Sequence, residues 1–179
     1  MQIRAAWVVA VIALAACASA PDIQTTFDFQ ADLAKYRTFA FVQGDPKANG
    51  AITDQQVRGR LEQLIANQLK ARGYAQAAEG QTADLAVHFA GHMTPKQQVF
   101  MAGRPGPYDY GWGRAQAGDY ESMDYRQGTL IIDLVDLPRG QLLWRTRISE
   151  ALSAGYSEEN WKKVERALAD AFRTLPARR

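Results

Sequence analysis

The chain has 179 residues, 47% hydrophobic and 22% charged, which is globular usage and excludes a disordered or low-complexity protein. With 21 basic and 19 acidic side chains the formal charge is +2, too small an excess to draw nucleic acid or a strongly acidic partner. A single cysteine, Cys17, excludes an intramolecular disulfide and is the only thiol available for catalysis or metal binding.

The first element is a targeting segment. Arg4 forms a short basic region, and Ala5 to Ala16 is an apolar run well short of the roughly 20 residues a membrane-spanning helix needs. The run ends in Leu14-Ala15-Ala16-Cys17, which resembles a bacterial lipobox, cut between Ala16 and Cys17 and lipidated on Cys17. An ordinary secretory signal cut near Ala18 or Ala20 is the alternative. Lipidation would consume the only thiol, and cleavage would leave 163 residues, enough for one domain with a core. The lipoprotein resemblance implies three acyl chains, where two already anchor stably. Ala18 after the cysteine implies the outer membrane, periplasmic side, rather than inner-membrane retention. Residues 17–22 form a tether that reaches under about 20 Å, so the domain is expected against the membrane surface.

Ile23 to Phe29 alternates as a strand does, and Tyr36 to Val42 is a second strand rich in aromatic and β-branched residues. Gly44, Asp45, Pro46, Asn49 and Gly50 read as a loop. Thr53 with Gln56 has capping-box spacing for a first helix, with Ile52 and Val57 as its staple. Val57, Leu61, Leu64, Ile65 and Leu69 form one apolar stripe, and Gly73 stops the helix. Asp84 to Met93 alternates again, with Leu85, Val87, Phe89 and Gly91 on one face. His88 and His92 would be paired metal ligands on a helix; on a strand they lie about 13 Å apart, too far for one ion.

Residues 94–127 read as a long loop rich in Gly, Pro and Tyr. Within it Tyr108, Tyr110 and Trp112 are candidate contacts for a glycan such as peptidoglycan, set against the plainer reading of a self-packed loop. Gly128 to Ile148 reads as a hairpin turning at Pro138-Arg139-Gly140, a three-residue loop that pairs Leu137 with Gln141. The register sets Leu134 opposite Trp144, Ile132 opposite Thr146 and Leu130 opposite Ile148. On the other face Asp133 meets Arg145 as an exposed ion pair worth about 0.2–1 kcal/mol. A second helix starts at Ser157 with Tyr156 and Trp161 as staple, buries Val164, Leu168, Ala171, Phe172 and Leu175, and closes at Pro176.

Two apolar helix stripes need one sheet face to cover. The expected fold is therefore α+β: a two-layer sandwich of a mostly antiparallel, mixed sheet of about five strands with two helices on one face. The expected organisation is a signal peptide over 1–16, the lipidated Cys and tether over 17–22, and a single domain over 23–176. Nucleophile elbows, phosphate loops, dinucleotide fingerprints and metal-ligand clusters are missing from the sequence, which points to a non-catalytic protein without cofactor. Asp133 and Asp136 fall on opposite strand faces and so make no acid/base pair.

The order Tyr36-x-Thr38-Phe39-Ala40-Phe41, Gly73-Tyr74, Asp84-Leu85-x-Val87, Gly128-Thr129-Leu130-x-x-Asp133-Leu134-x-Asp136 and Leu143-Trp144-Arg145, ending at Leu175-Pro176, resembles one bacterial lipoprotein family, domain of unknown function 4136. The likeness runs from about Ile23 to Pro176, although Thr146 and Arg147 stand where the family often has a Gly. It implies an α+β envelope lipoprotein and supplies no established activity, ligand or catalytic residue. Three functions follow in order: an outer-membrane interaction or envelope-maintenance module with an envelope protein as partner, a glycan-binding module, and a cryptic hydrolase.

Overall fold

The computed structural model describes residues 20–28, 31–43, 50–78, 80–101, 120–153 and 157–177. The chain begins with strand β1 (Asp22–Phe27), a single 3-10 turn (Leu33–Lys35), β2 (Thr38–Phe41), helix α1 (Gln55–Ala71) and β3 (Ala75–Gln76). It continues through β4 (Leu85–Met101), β5 (Tyr120–Asp136), β6 (Gln141–Leu152) and helix α2 (Glu158–Phe172). The strands form one sheet in the order β1-β6-β5-β4-β2-β3. Neighbours from β1 to β4 are antiparallel, whereas β2 lies parallel to both β4 and β3. The fold is thus α+β with a mixed sheet, and six strands rather than five, because the two-residue β3 is too short to show in a hydropathy pattern.

Helix α1 starts one residue later than Thr53 would set. Asp54 is the cap, its carboxylate accepting from the backbone N–H of Gln56 (2.9 Å) and Val57 (3.2 Å). The staple positions shift with it, although Ile52 and Val57 still pack against the core edge. At the other end Gly73, at φ 90°, and Tyr74 donate back to the carbonyls of Lys70 and Leu69, which closes the helix with a Schellman motif. Helix α2 is capped by Ser157, whose hydroxyl accepts from Asn160 N–H at 3.2 Å.

The β5–β6 register matches expectation at Leu134–Trp144, Ile132–Thr146, Leu130–Ile148 and Asp133–Arg145. The turn does not. Asp136, not Leu137, pairs with Gln141, so four residues make the connection, and a bulge between Leu134 and Val135 restores the register. Gly140 takes the left-handed conformation at φ 65°.

The larger departure is in 94–127. Strands β4 and β5 pair from Leu85–Asp136 out to Met101–Tyr120, so much of the expected loop is a paired arm. Neither β2 nor β6 accompanies the arm past Pro95 and Arg126. Among the described residues no helix covers the arm, so the helix layer that imposes apolar alternation on the rest of the sheet does not act there. Pro95 fits there because, among the described residues, β4 is paired at that point with β5 alone.

Both helices cover one face of the sheet. At the end holding the β5–β6 turn the interlayer space is filled by Phe39, Leu85, Leu134, Trp144, Leu168, Phe172 and Leu175, all fully buried. Trp144 packs on Phe172 with ring centroids 5.0 Å apart, and its indole N–H donates to Thr174 Oγ1 at 3.4 Å.

Candidate functional site

At the opposite end the layers part. The N-terminal turns of α1 and α2 stand over β4, β5 and β6, leaving a cleft of about 370 Å³ with a predominantly apolar lining. That volume lies at the lower end of small-ligand pockets. Ile52, Val57 and Leu61 come from the α1 side, Trp161, Val164 and Leu168 from α2, and Leu130, Ile148 and Leu152 from the sheet.

Two glycines on neighbouring strands make its floor. A Cβ on Gly128 would stand 2.8 Å from Leu152 Cδ1 and 3.2 Å from Met93 Sδ; one on Gly91 would stand 3.0 Å from Ile52 Cδ1. The missing side chains let Ile52, Leu152 and Met93 lie directly against the strand backbones at the cleft floor, where any larger residue would force them away. The helical wall is held by Arg60 of α1, whose guanidinium donates twice to Glu158 at 2.7 and 2.8 Å and lies 4.5 Å from the Trp161 ring centre.

The polar groups are few. Asp54 is engaged as the α1 cap. Asn160 is buried, its Oδ1 accepting from Ser153 N–H and Oγ at 3.0 and 2.9 Å and its Nδ2 donating to Ser153 O at 2.9 Å. Glu150 faces the apolar lining beside Ile148 and Leu152. Desolvation raises its carboxyl pKa above the usual glutamate value, against the smaller opposing pull of Lys163 and Arg166. Arg126 is the other charged lining residue on the sheet side.

Most residues singled out in the sequence lie elsewhere. Ala16, Cys17, Tyr108, Tyr110, Trp112 and Tyr156 are outside the described residues, as are Phe29 and residues 44–49 of the expected loop. His88 and His92 both sit on β4, opposite Asp133 and Thr129, the strand placement that separates them; of the two, His92 lines the cleft. Asp133 differs from its expected exposure: it is 8% exposed, and Arg145 holds it through Nε at 2.6 Å and Nη2 at 2.7 Å. Asp136 is buried at the turn, where it accepts from the Tyr36 hydroxyl at 2.7 Å and from Arg139 N–H at 3.1 Å. Burial, and then that bond, push the Tyr36 pKa up to about 12, so both groups serve the fold rather than proton transfer at neutral pH.

Among the described residues no cluster of three His, Cys, Asp or Glu is placed to hold a metal ion. No helix among them is long and apolar enough to cross a membrane. The cleft is lined chiefly by apolar side chains, with His92, Arg126 and Glu150 among them on the sheet side.

Sequence reasoning found the walls as core stripes and missed the void between them. One signal for it was present: Gly91 and Gly128 interrupt strands on their inward faces, and Glu150 sits between Ile148 and Leu152 on an inward face.

Fold and cleft together define a two-layer α+β domain with a mostly apolar cleft between helix N-termini and sheet. The chain belongs to the family described as Domain of unknown function (DUF4136), whose model matches residues 23–177. No curated protein matches the chain. Among solved structures the fold is similar to a PelC dodecamer variant from Paraburkholderia phytofirmans (15% identity, TM-score 0.52), covering 89% of this chain and 99% of that one. It is also similar to a PDZ domain protein from Parabacteroides distasonis (14% identity, TM-score 0.53), covering 89% of this chain but 38% of that one. A DUF4136 family protein from Bacteroides thetaiotaomicron aligns at 17% identity and TM-score 0.48, over 86% of this chain and 95% of that one.

Proposed function

We propose that the protein is a non-catalytic lipoprotein held by acyl chains on Cys17 at the periplasmic side of the bacterial outer membrane. There it acts as an interaction or envelope-maintenance module, with the apolar cleft as its working surface. The observation supporting this reading is where the chain enters the sheet. Asp22 of β1 lies opposite Ser149, at the cleft end of β6, and Ile23 lies opposite Ile148, which lines the cleft. A lipid on Cys17 therefore brings the cleft end of the domain, not the filled end, to the membrane. Cys17→Ala is expected to move the protein from the membrane pellet to the soluble fraction; a variant that still pellets with outer membrane overturns the anchoring.

A second reading, glycan binding through Tyr108, Tyr110 and Trp112, is favoured by the arm. From Lys96–Tyr125 to Met101–Tyr120 the strands β4 and β5 pair only with each other, about 20 Å beyond the body of the sheet. Residues 102–119 join the ends of that arm. Retention on purified sacculi that drops when 102–119 is deleted supports this reading, and equal retention overturns it.

A further inference from the structure

We propose that the cleft takes up an acyl chain, and that its occupant is one of the chains borne by Cys17 of the same molecule. The inference rests on the lipoprotein reading above and goes beyond it by naming what the cleft holds.

The chemistry of the lining selects hydrocarbon. Its one buried polar side chain, Asn160, already has both ends of its amide bonded to Ser153, and the Asp54 carboxylate already accepts from two helix N–H groups. His92, Arg126 and Glu150 also line the cleft, but most of its wall is apolar. A sugar or peptide entering it would give up water along most of its surface without a partner in exchange. An alkyl chain loses nothing of that kind and gains contact along its length. The floor suits the same occupant, since over Gly91 and Gly128 it is surfaced by the apolar side chains of Ile52, Met93 and Leu152.

Reach selects the source. Ile148 lines the cleft and pairs with Ile23, the second residue of β1. The stretch from Cys17 to Ile23 extends at most about 22 Å, and it leaves the sheet at the end where the cleft lies. A chain attached to Cys17 is present at the millimolar effective concentrations typical of short linkers. A phospholipid tail has to leave the bilayer without such a tether. With one chain in the cleft the remaining two still hold the protein on the membrane, since two suffice for stable anchoring.

The test is a photocrosslink in the full-length protein in its own membranes, with p-benzoylphenylalanine in place of Leu152 at the cleft wall. After irradiation the monomer band is digested and its peptides weighed. The expected product is the acylated Cys17 peptide joined through an acyl chain to the peptide carrying position 152. Phospholipid adducts at position 152 without the Cys17 peptide overturn the own-chain assignment. Absence of any lipid adduct overturns acyl binding altogether. The mass of the mature N-terminus is read in the same experiment. An unacylated Cys17 overturns the lipoprotein reading and this proposal with it, whereas an acylated Cys17 without adduct overturns the proposal alone. Val164→Trp, which fills the cleft from α2, should lower the adduct at least tenfold; an undiminished adduct in a folded variant places the acyl chain outside the cleft and overturns the proposal.

Discussion

The two ends of the sheet are built from the same strands and covered by the same helices, yet one is packed solid and the other is open. At the turn end large aromatic side chains from β2, β6 and α2 fill the interlayer space, with Phe39, Trp144 and Phe172 fully buried. At the entry end no such aromatic cluster fills the space among Ile52, Val57, Leu130, Ile148, Glu150 and Val164, and a cleft remains between helices and sheet. The ends differ in electrostatics as well. Asp84 and Asp136 at the turn end have carboxyl pKa values below the usual range, the first chiefly through the backbone N–H of Arg37, the second chiefly through the Tyr36 hydroxyl. Glu150 at the cleft has its pKa raised, chiefly by desolvation. A carboxylate placed to be satisfied and one placed to be desolvated mark the difference between an end that is packed and an end that is left open.

The contrast breaks first at Trp144. Trp144→Ala removes a fully buried indole from a space that Phe172, Leu134 and Leu175 cannot collapse to fill, and should cost about 3–5 kcal/mol. Urea unfolding with an unchanged slope would show this as a lower midpoint. A cost under about 1 kcal/mol would mean that the turn end is no more tightly packed than the cleft.

The next largest effect lies on the face away from the helices. Arg145→Leu leaves Asp133 buried without its two guanidinium donors, at an expected cost of about 1–3 kcal/mol. That is more than an exposed pair would lose. A loss of a few tenths, measured in the same way, would return the pair to the surface class.

These two sites also separate what was legible in the chain from what was not. The β5–β6 register could be read because a one-residue slip would place Ile132 against Arg145, and alternation makes that error visible. The burial of Asp133 could not, since alternation assigns a face and not what else covers that face. The first cap was ambiguous for a local reason. Thr53 and Asp54 both accept hydrogen bonds, and only the backbone path from residue 52 onward decides between them. The arm was hidden because alternation is imposed by a core, and β4 and β5 run past theirs. The cleft was hidden for a deeper reason. A void is what several distant elements fail to fill, so it has no period of its own.

The third effect tests the charge contrast. Asp84 accepts from Arg37 N–H at 2.6 Å and Thr38 N–H at 2.9 Å, ties the start of β2 to the start of β4, and has its pKa lowered from 3.8. A carboxyl with a lowered folded pKa contributes stability that is present above the unfolded value and is lost as pH falls through the folded one. Asp84→Asn should therefore lose stability at neutral pH and unfold with a shallower pH dependence below about pH 4 than the parent. Parallel acid-unfolding curves for the two proteins would show that Asp84 is not held as an anion by those amides.

The smallest effect has the opposite sign and belongs to the cleft. Glu150 binds its proton more tightly in the folded chain than in the unfolded one, because the apolar lining penalises its charge. The penalty on the native state is therefore present above the raised pKa and is relieved as pH falls through it. Glu150→Gln keeps the size of the side chain and removes the charge, so it should raise the melting temperature slightly at pH 7, with the gain vanishing at pH values below the usual glutamate range. Lys163 and Arg166 offset part of the penalty, which is why the gain is small. A variant less stable than the parent at pH 7 would mean that those two cations outweigh desolvation, and the cleft end would then be held together by its charge rather than opened at its expense.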